Sequence, residues 1–197
     1  MSVFDLSLRE IDAAVIGASA GGVEILSELL PALPAACKAA FLIVVHIPRE
    51  RPSLLPDLFG ARCALPVKEA EDKEPVLPGT IYFAPPDYHL LVDRGPALAL
   101  SSDEPVHFSR PSIDVLFESA ADVYGQRLLG LILTGANEDG ADGLMKVRRA
   151  GGRTVVQNPG SATTAALPQA ALARGPVDHV LELEQLRELF SRWPVGE

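Results

Sequence analysis

Three residues in this chain have the chemistry of a nucleophile, a base and an orienting acid: Ser19, His46 and Asp139. Ser19 lies in Gly17-Ala18-Ser19-Ala20-Gly21-Gly22, a Gly-x-Ser-x-Gly stretch between a short apolar run and a helix-like pattern. Strand, sharp turn, helix is the context in which that spacing lifts a hydroxyl above a strand end. The turn also aims the helix's unpaired N–H groups at whatever the hydroxyl attacks. A Gly-rich loop that cradles a phosphate is the rival reading. The spacing is not Gly-x-Gly-x-x-Gly, however, and no Lys-Ser or Lys-Thr pair follows. On the motif alone the two readings stand level.

A serine hydroxyl needs a base to take its proton, and imidazole is the usual one because it titrates near neutral pH. The imidazole needs an acceptor to fix its tautomer. His46 ends the apolar run at residues 41–45, and Asp139 follows the run at 128–133. His89 opens one strand of an expected hairpin, His107 lies in a polar loop and His179 near the last helix, so His46 is favoured as base. Asp139 competes with Glu138, Asp142 and Asp114. Asp142 and Asp114 sit where the first turn of a helix favours an acid, whereas Asp139 lies between strand and helix and can reach inward. The order Ser, His, Asp argues against the α/β-hydrolases, which run Ser, Asp, His, although triads are recognised by geometry rather than order. The acidic segment 137–143 lacks the EF-hand spacing and its distant Glu, so no metal and no cofactor are expected.

These groups need elements to position them. Buried strands are expected at residues 13–16, 41–45, 80–84, 128–133 and 154–156, the last clear strand. Helices are expected at 23–33, 53–59, 112–121 with Ser112 as N-cap, 144–150 closing at Gly151-Gly152, 168–173 and 183–190. Residues 90–92 and 97–100 flank Asp93-Arg94-Gly95-Pro96 and predict an antiparallel hairpin at one sheet edge. The alternation predicts an α/β fold: a mostly parallel, doubly wound sheet with helices on both faces. Such sheets bind ligands beyond the carboxyl ends of their strands, where all three groups fall. One domain at 12–190 is expected, with a lead segment at 1–11 and a polar tail at 191–197.

Bulk properties narrow the field. With 197 residues, 48% hydrophobic and 22% charged, the chain can bury a sizeable core. A net charge of −9 and no basic stripe disfavour nucleic acid as a partner. Cys37 and Cys63 have no metal-ligand spacing and are expected to be free, buried thiols in a reducing compartment. The charged N-terminus is no signal peptide, and the apolar run at 39–45 is too short to span a bilayer. A cytoplasmic protein without membrane insertion is expected.

With these residues assembled, the chain resembles the catalytic domain of the CheB-type protein-glutamate methylesterases. The likeness runs from about residue 13 to 183. It is carried by Val15-Ile16-Gly17-Ala18-Ser19-Ala20-Gly21-Gly22, Val44-Val45-His46-Ile47-Pro48, Phe83-Ala84-Pro85-Pro86-Asp87-Tyr88-His89, Arg110-Pro111-Ser112-Ile113-Asp114, Leu133-Thr134-Gly135, Asp139-Gly140-Ala141-Asp142-Gly143 and Gln157-Asn158. The resemblance implies hydrolysis of glutamate γ-methyl esters on chemoreceptor helices, with deamidation of receptor glutamines in many members. It implies Ser19 as nucleophile, His46 as general base, Asp139 as its orienting carboxylate, and an oxyanion held by backbone N–H groups at Ala20 and Ala136. The implied partner is a methylated chemoreceptor or similar helical signalling protein, with a separate receiver or methyltransferase protein as a further candidate. There are departures. Ala20 stands where the family often has Thr. Thr134-Gly135-Ala136-Asn137-Glu138-Asp139-Gly140 stands where it usually has Thr-Gly-Met-Gly-x-Asp-Gly. The dozen residues before the first strand leave no room for the family's receiver domain, so an open site is expected. The rival from another class is a non-catalytic module that uses this fold to dock a signalling partner. The altered loop favours that rival, and the complete trio favours the enzyme.

Overall fold

The structure is a computed structural model and describes residues 8–46 and 53–195. Seven parallel strands form the main sheet: β1 (Ala13–Ala18), β2 (Ala40–Val45), β3 (Val67–Glu69), β4 (Ile81–Phe83), β7 (Leu128–Ile132), β8 (Arg153–Gln157) and β9 (His179–Leu181). Their spatial order is β3-β4-β2-β1-β7-β8-β9. The chain therefore winds outward from β1 to one side, then returns to the other side of β1. That makes the carboxyl end of β1 the switch point, where a crevice opens between oppositely directed crossovers.

Period-two alternation divides the core into two layers. Ala14, Ile16 and Ala18 of β1, with Phe41, Ile43 and Val45 of β2, face one layer. It is covered by α1 (Gly22–Leu29), α2 (Leu55–Gly60) and α6 (Leu183–Ser191), which contribute Leu26, Leu29, Phe59, Leu186 and Phe190. Ala13, Val15, Leu42 and Val44 face the other layer, under α3 (Ile113–Tyr124), α4 (Ala141–Arg149) and α5 (Ala166–Arg174). Both faces are dry, which is why the strands read as continuous apolar runs.

The expected hairpin is present as β5 (His89–Asp93) and β6 (Ala97–Ser101), in antiparallel register. Its strands make a sheet of their own rather than extending the main one. Its buried Leu90, Val92 and Leu98 pack in the same layer as α3. Several boundaries differ from expectation, and two strands were not expected. The first helix ends at Leu29, and a 3₁₀ turn with Pro31 near its start continues to Ala32. Helix α4 begins at Ala141, because Gly140 at φ 110° supplies the turn and Ala141 to Gly143 are already helical. Strands β3 and β9 were not anticipated: each is three residues long and pairs along one edge only, with β4 and β8 respectively. Cys37 is buried and Cys63 half-buried, and both thiols are free. No helix among the described residues is long and apolar enough to cross a membrane.

Candidate active site

The three predicted residues come to the switch point, His46 and Asp139 in contact and Ser19 at the adjoining strand end. β1 and β2 pair in register Ala18↔Val45, so Ser19 and His46 are the next residues on adjacent strand ends. The His46 N–H donates to the Ala18 carbonyl (3.1 Å). Ser19 is half-buried and opens a tight turn in which the Gly22 N–H donates to its carbonyl (2.8 Å). Gly21 takes φ 82°, a left-handed conformation that a side chain would strain, and α1 starts immediately after. The turn is clamped from below. The Ser19 N–H donates to the Thr134 carbonyl (2.9 Å), and the Thr134 hydroxyl donates to the Ala20 carbonyl (2.8 Å). Thr134 is itself fixed by Gln157, whose Oε1 accepts its N–H (2.8 Å), and by the Thr164 N–H, which donates to its hydroxyl (2.8 Å). Next to it, a side chain on Gly135 would come within 3.0 Å of the Ser19 Cβ. That position is empty so that the Ser19 turn can sit against the end of β7.

Asp139 is fully buried, and its carboxylate accepts four hydrogen bonds. His46 Nε2 donates to Oδ2 (2.8 Å) and the Ser112 hydroxyl donates to Oδ1 (2.7 Å). The N–H groups of Ile113 (2.8 Å) and Asp114 (3.1 Å), at the start of α3, complete the set. Asp139 thus occupies the N-terminus of a helix, where free N–H groups and the helix dipole favour an anion. Burial by itself pushes its carboxyl up, but hydrogen bonds from His46, Ser112 and Ile113 outweigh that and hold it below the ordinary carboxylate range. With Asp139 ionised, Nε2 of His46 carries the proton and Nδ1 presents its lone pair. Nδ1 is approached by the Asn137 amide nitrogen at 3.4 Å.

The competing residues lie elsewhere. His89 is buried with both ring nitrogens occupied: the Ser112 N–H donates to Nδ1 (3.1 Å), and Nε2 donates to the Glu104 carbonyl (3.1 Å). His179 lies on edge strand β9. Asp142 and Glu138 pair with Arg174 at 3.1 and 3.2 Å. Asp114 accepts the Gly143 N–H (2.6 Å), and burial pushes its carboxyl up to about 6, further raised by Asp139 and Asp142 and offset by Gly143 and His107. His107, Asp114 and Asp142 are the one trio among the described residues whose ligand atoms, all within 4.8 Å of one another, could share a cation. Ala20 and Ala136 flank the crevice. Among the described residues, neither of their N–H groups donates a hydrogen bond.

Ser112, Thr134 and Gln157 were missed as site residues. The first was legible only as a helix cap and the other two only as pieces of motifs, because their partners come from distant segments. A cavity of about 400 Å³ at the opposite end of the sheet, lined by Leu8, Lys38, Tyr124 and Trp193, is far from this chemistry.

Sheet and site together define a class: a parallel α/β protein with a serine, a histidine and a buried carboxylate gathered at its switch point. The profile of the family described as CheB methylesterase matches residues 14–190. A relative from Leptospira interrogans, provisionally named a protein-glutamate methylesterase/protein-glutamine glutaminase, is 46% identical over 92% of this chain and 94% of its own length. A Bordetella parapertussis protein-glutamate methylesterase/protein-glutamine glutaminase is 42% identical over 88% of this chain, which spans about half (51%) of that longer protein. The Thermotoga maritima CheB methylesterase catalytic domain superposes with a TM-score of 0.87 at 31% identity, covering 92% of this chain and 97% of that one. The chain belongs to the CheB methylesterase family.

Proposed function

We propose that this chain is a serine esterase that removes methyl groups from glutamate γ-methyl esters of a chemoreceptor-like helical protein, and that it also deamidates glutamines there. The observation that carries the reading is the buried Asp139 carboxylate holding His46 Nε2 at 2.8 Å, beside the elbow that bears Ser19. In this reading the Ser19 hydroxyl attacks the γ-carbonyl while His46 Nδ1 takes its proton. Asp139 stays ionised and steadies the imidazolium. The N–H groups of Ala20 and Ala136 receive the oxyanion, each worth about 3–4 kcal/mol where such donors have been removed. The tetrahedral intermediate expels methoxide, which takes the proton from His46 and leaves as methanol. Water then attacks the acyl-enzyme by the same route, and with a glutamine substrate ammonia leaves instead. Residues 12–190 are the catalytic unit, working in the cytoplasm on the receptor's helical surface.

The test is methanol release from methylated receptor, together with labelling by a serine-reactive phosphonate. Stoichiometric labelling at Ser19 is expected, and Ser19→Ala and His46→Ala should each lose on the order of 10⁴-fold or more in turnover, because the pair acts as a unit. A folded protein that neither labels nor releases methanol would instead be the non-catalytic docking module.

A further inference from the structure

Asn137 stands where the family pattern has glycine, and its side chain enters the site. Its Nδ2 lies 3.4 Å from His46 Nδ1 and 3.3 Å from the Ser109 hydroxyl oxygen. Its Oδ1 is buried with no hydrogen-bond partner. A buried unpaired acceptor demands a reason, and the chemistry of the ring supplies one. The ionised Asp139 carboxylate accepts a hydrogen bond from Nε2–H, so a His46 ring with that one proton has only a lone pair at Nδ1. An amide oxygen turned toward that lone pair would repel it. An amide nitrogen has two hydrogens, one for Nδ1 and one for Ser109. The orientation that leaves Oδ1 unpaired is therefore the one the neutral histidine selects.

We propose that Asn137 is a positioning residue that occupies the Nδ1 lone pair of His46 in the resting site, in competition with the Ser19 hydroxyl. This rests on the reading of Ser19 and His46 as nucleophile and base. The contact is long for a hydrogen bond, which suits a partner that is displaced rather than a permanent one. Once His46 has taken the serine proton, Nδ1–H and the amide nitrogen are opposed donors. A glycine at this position would leave the Nδ1 lone pair to the Ser19 hydroxyl.

The test compares the full chain with Asn137→Gly and Ser109→Ala, each checked for wild-type melting. The readouts are the rate of phosphonate labelling at Ser19, kcat and KM on methylated receptor, and the ring ¹⁵N resonances of His46. Asn137→Gly should label faster by about two- to tenfold, the worth of one ordinary hydrogen bond, with the gain in kcat and none in KM. Ser109→Ala should shift labelling in the same direction and less. The Nδ1 resonance should move in Asn137→Gly. Labelling that is unchanged or slower in Asn137→Gly, when the wild type labels, would overturn the proposal. If Asn137→Gly does not fold, the same result in Ser109→Ala overturns it. If the wild type never labels, the functional reading has failed, and an Nδ1 resonance indifferent to Asn137→Gly would then dispose of the contact separately.

Discussion

Asp139 does two jobs through one carboxylate. It orients His46 through Oδ2 and receives the first N–H groups of α3 through both oxygens. Asp139→Asn should therefore cost both turnover and stability. The amide can present its nitrogen to donors that need an acceptor, leaving N–H groups of α3 buried and unpaired, at about 1–3 kcal/mol each. Turnover should fall by up to about 10⁴-fold, the cost of the wrong histidine tautomer. Because the folded carboxyl is held low, its stabilisation is complete above the ordinary carboxylate range and is lost as pH falls through the lower folded value. Melting curves taken across acid pH should thus show a shallower decline for Asp139→Asn than for the wild type. Asp142→Asn, at an exposed pair with Arg174, should be nearly silent in both assays. A severe Asp142→Asn beside a silent Asp139→Asn would show that the wrong carboxylate had been chosen.

At the scale of elements, the turn that bears Ser19 depends on the end of β7. Thr134 holds Ser19 by its carbonyl and Ala20 by its hydroxyl, and the Ala20 carbonyl is what keeps the turn's next peptide in place. Thr134→Val fills the same space but removes the hydroxyl, stranding the Ala20 carbonyl and the Thr164 N–H. We expect a loss of about 1–3 kcal/mol in stability and a drop in the Ser19 labelling rate, with Thr134→Ser restoring both. Equal labelling rates in Thr134→Val and wild type, measured well below melting, would mean that the turn holds itself. This clamp was not legible in the sequence. Gln157 and Thr164 lie 23 and 30 residues from Thr134, and the hydrogen bonds joining them to it depend on how strand ends assemble. Local features were legible. Ser112 caps α3, accepting the Val115 N–H as its residue type implies, and Gly21 turns with positive φ. His46 and Asp139 were found because each follows an apolar strand, and parallel sheets gather strand ends. Strand β9 was invisible because three residues at an edge show too little alternation to count.

Across the whole molecule, the chemistry and one dense part of the core occupy opposite ends of the sheet. Trp193 meets Phe41 at 4.9 Å and Phe190 at 5.9 Å between ring centroids, both edge-on, and is nearly fully buried. Phe41 sits near the start of β2, whereas His46 follows its end. Trp193→Ala should cost about 3–5 kcal/mol, as large aromatic truncations do. Below its lowered melting temperature it should label at Ser19 as fast as the wild type. Slowed labelling in the still-folded variant would reveal strain passed along β2. The two-layer core explains why the fold class was readable: β1, β2 and β7, buried on both faces, carry no polar residue to confuse the count.

The double employment of Asp139 changes what its presence says about this protein's history. Were the chain to lose its chemistry and survive as a scaffold, Ser19 could drift freely, since among the described residues its hydroxyl holds up nothing that α1 or the sheet requires. Asp139 could not, because α3 would lose the anion at its first turn. An aspartate here is thus a poor witness to activity, found alike in a working esterase and in an idle descendant. The testimony rests with Ser19, whose hydroxyl has no structural duty among the described residues, and with His46, whose ring is kept pointing at that carboxylate.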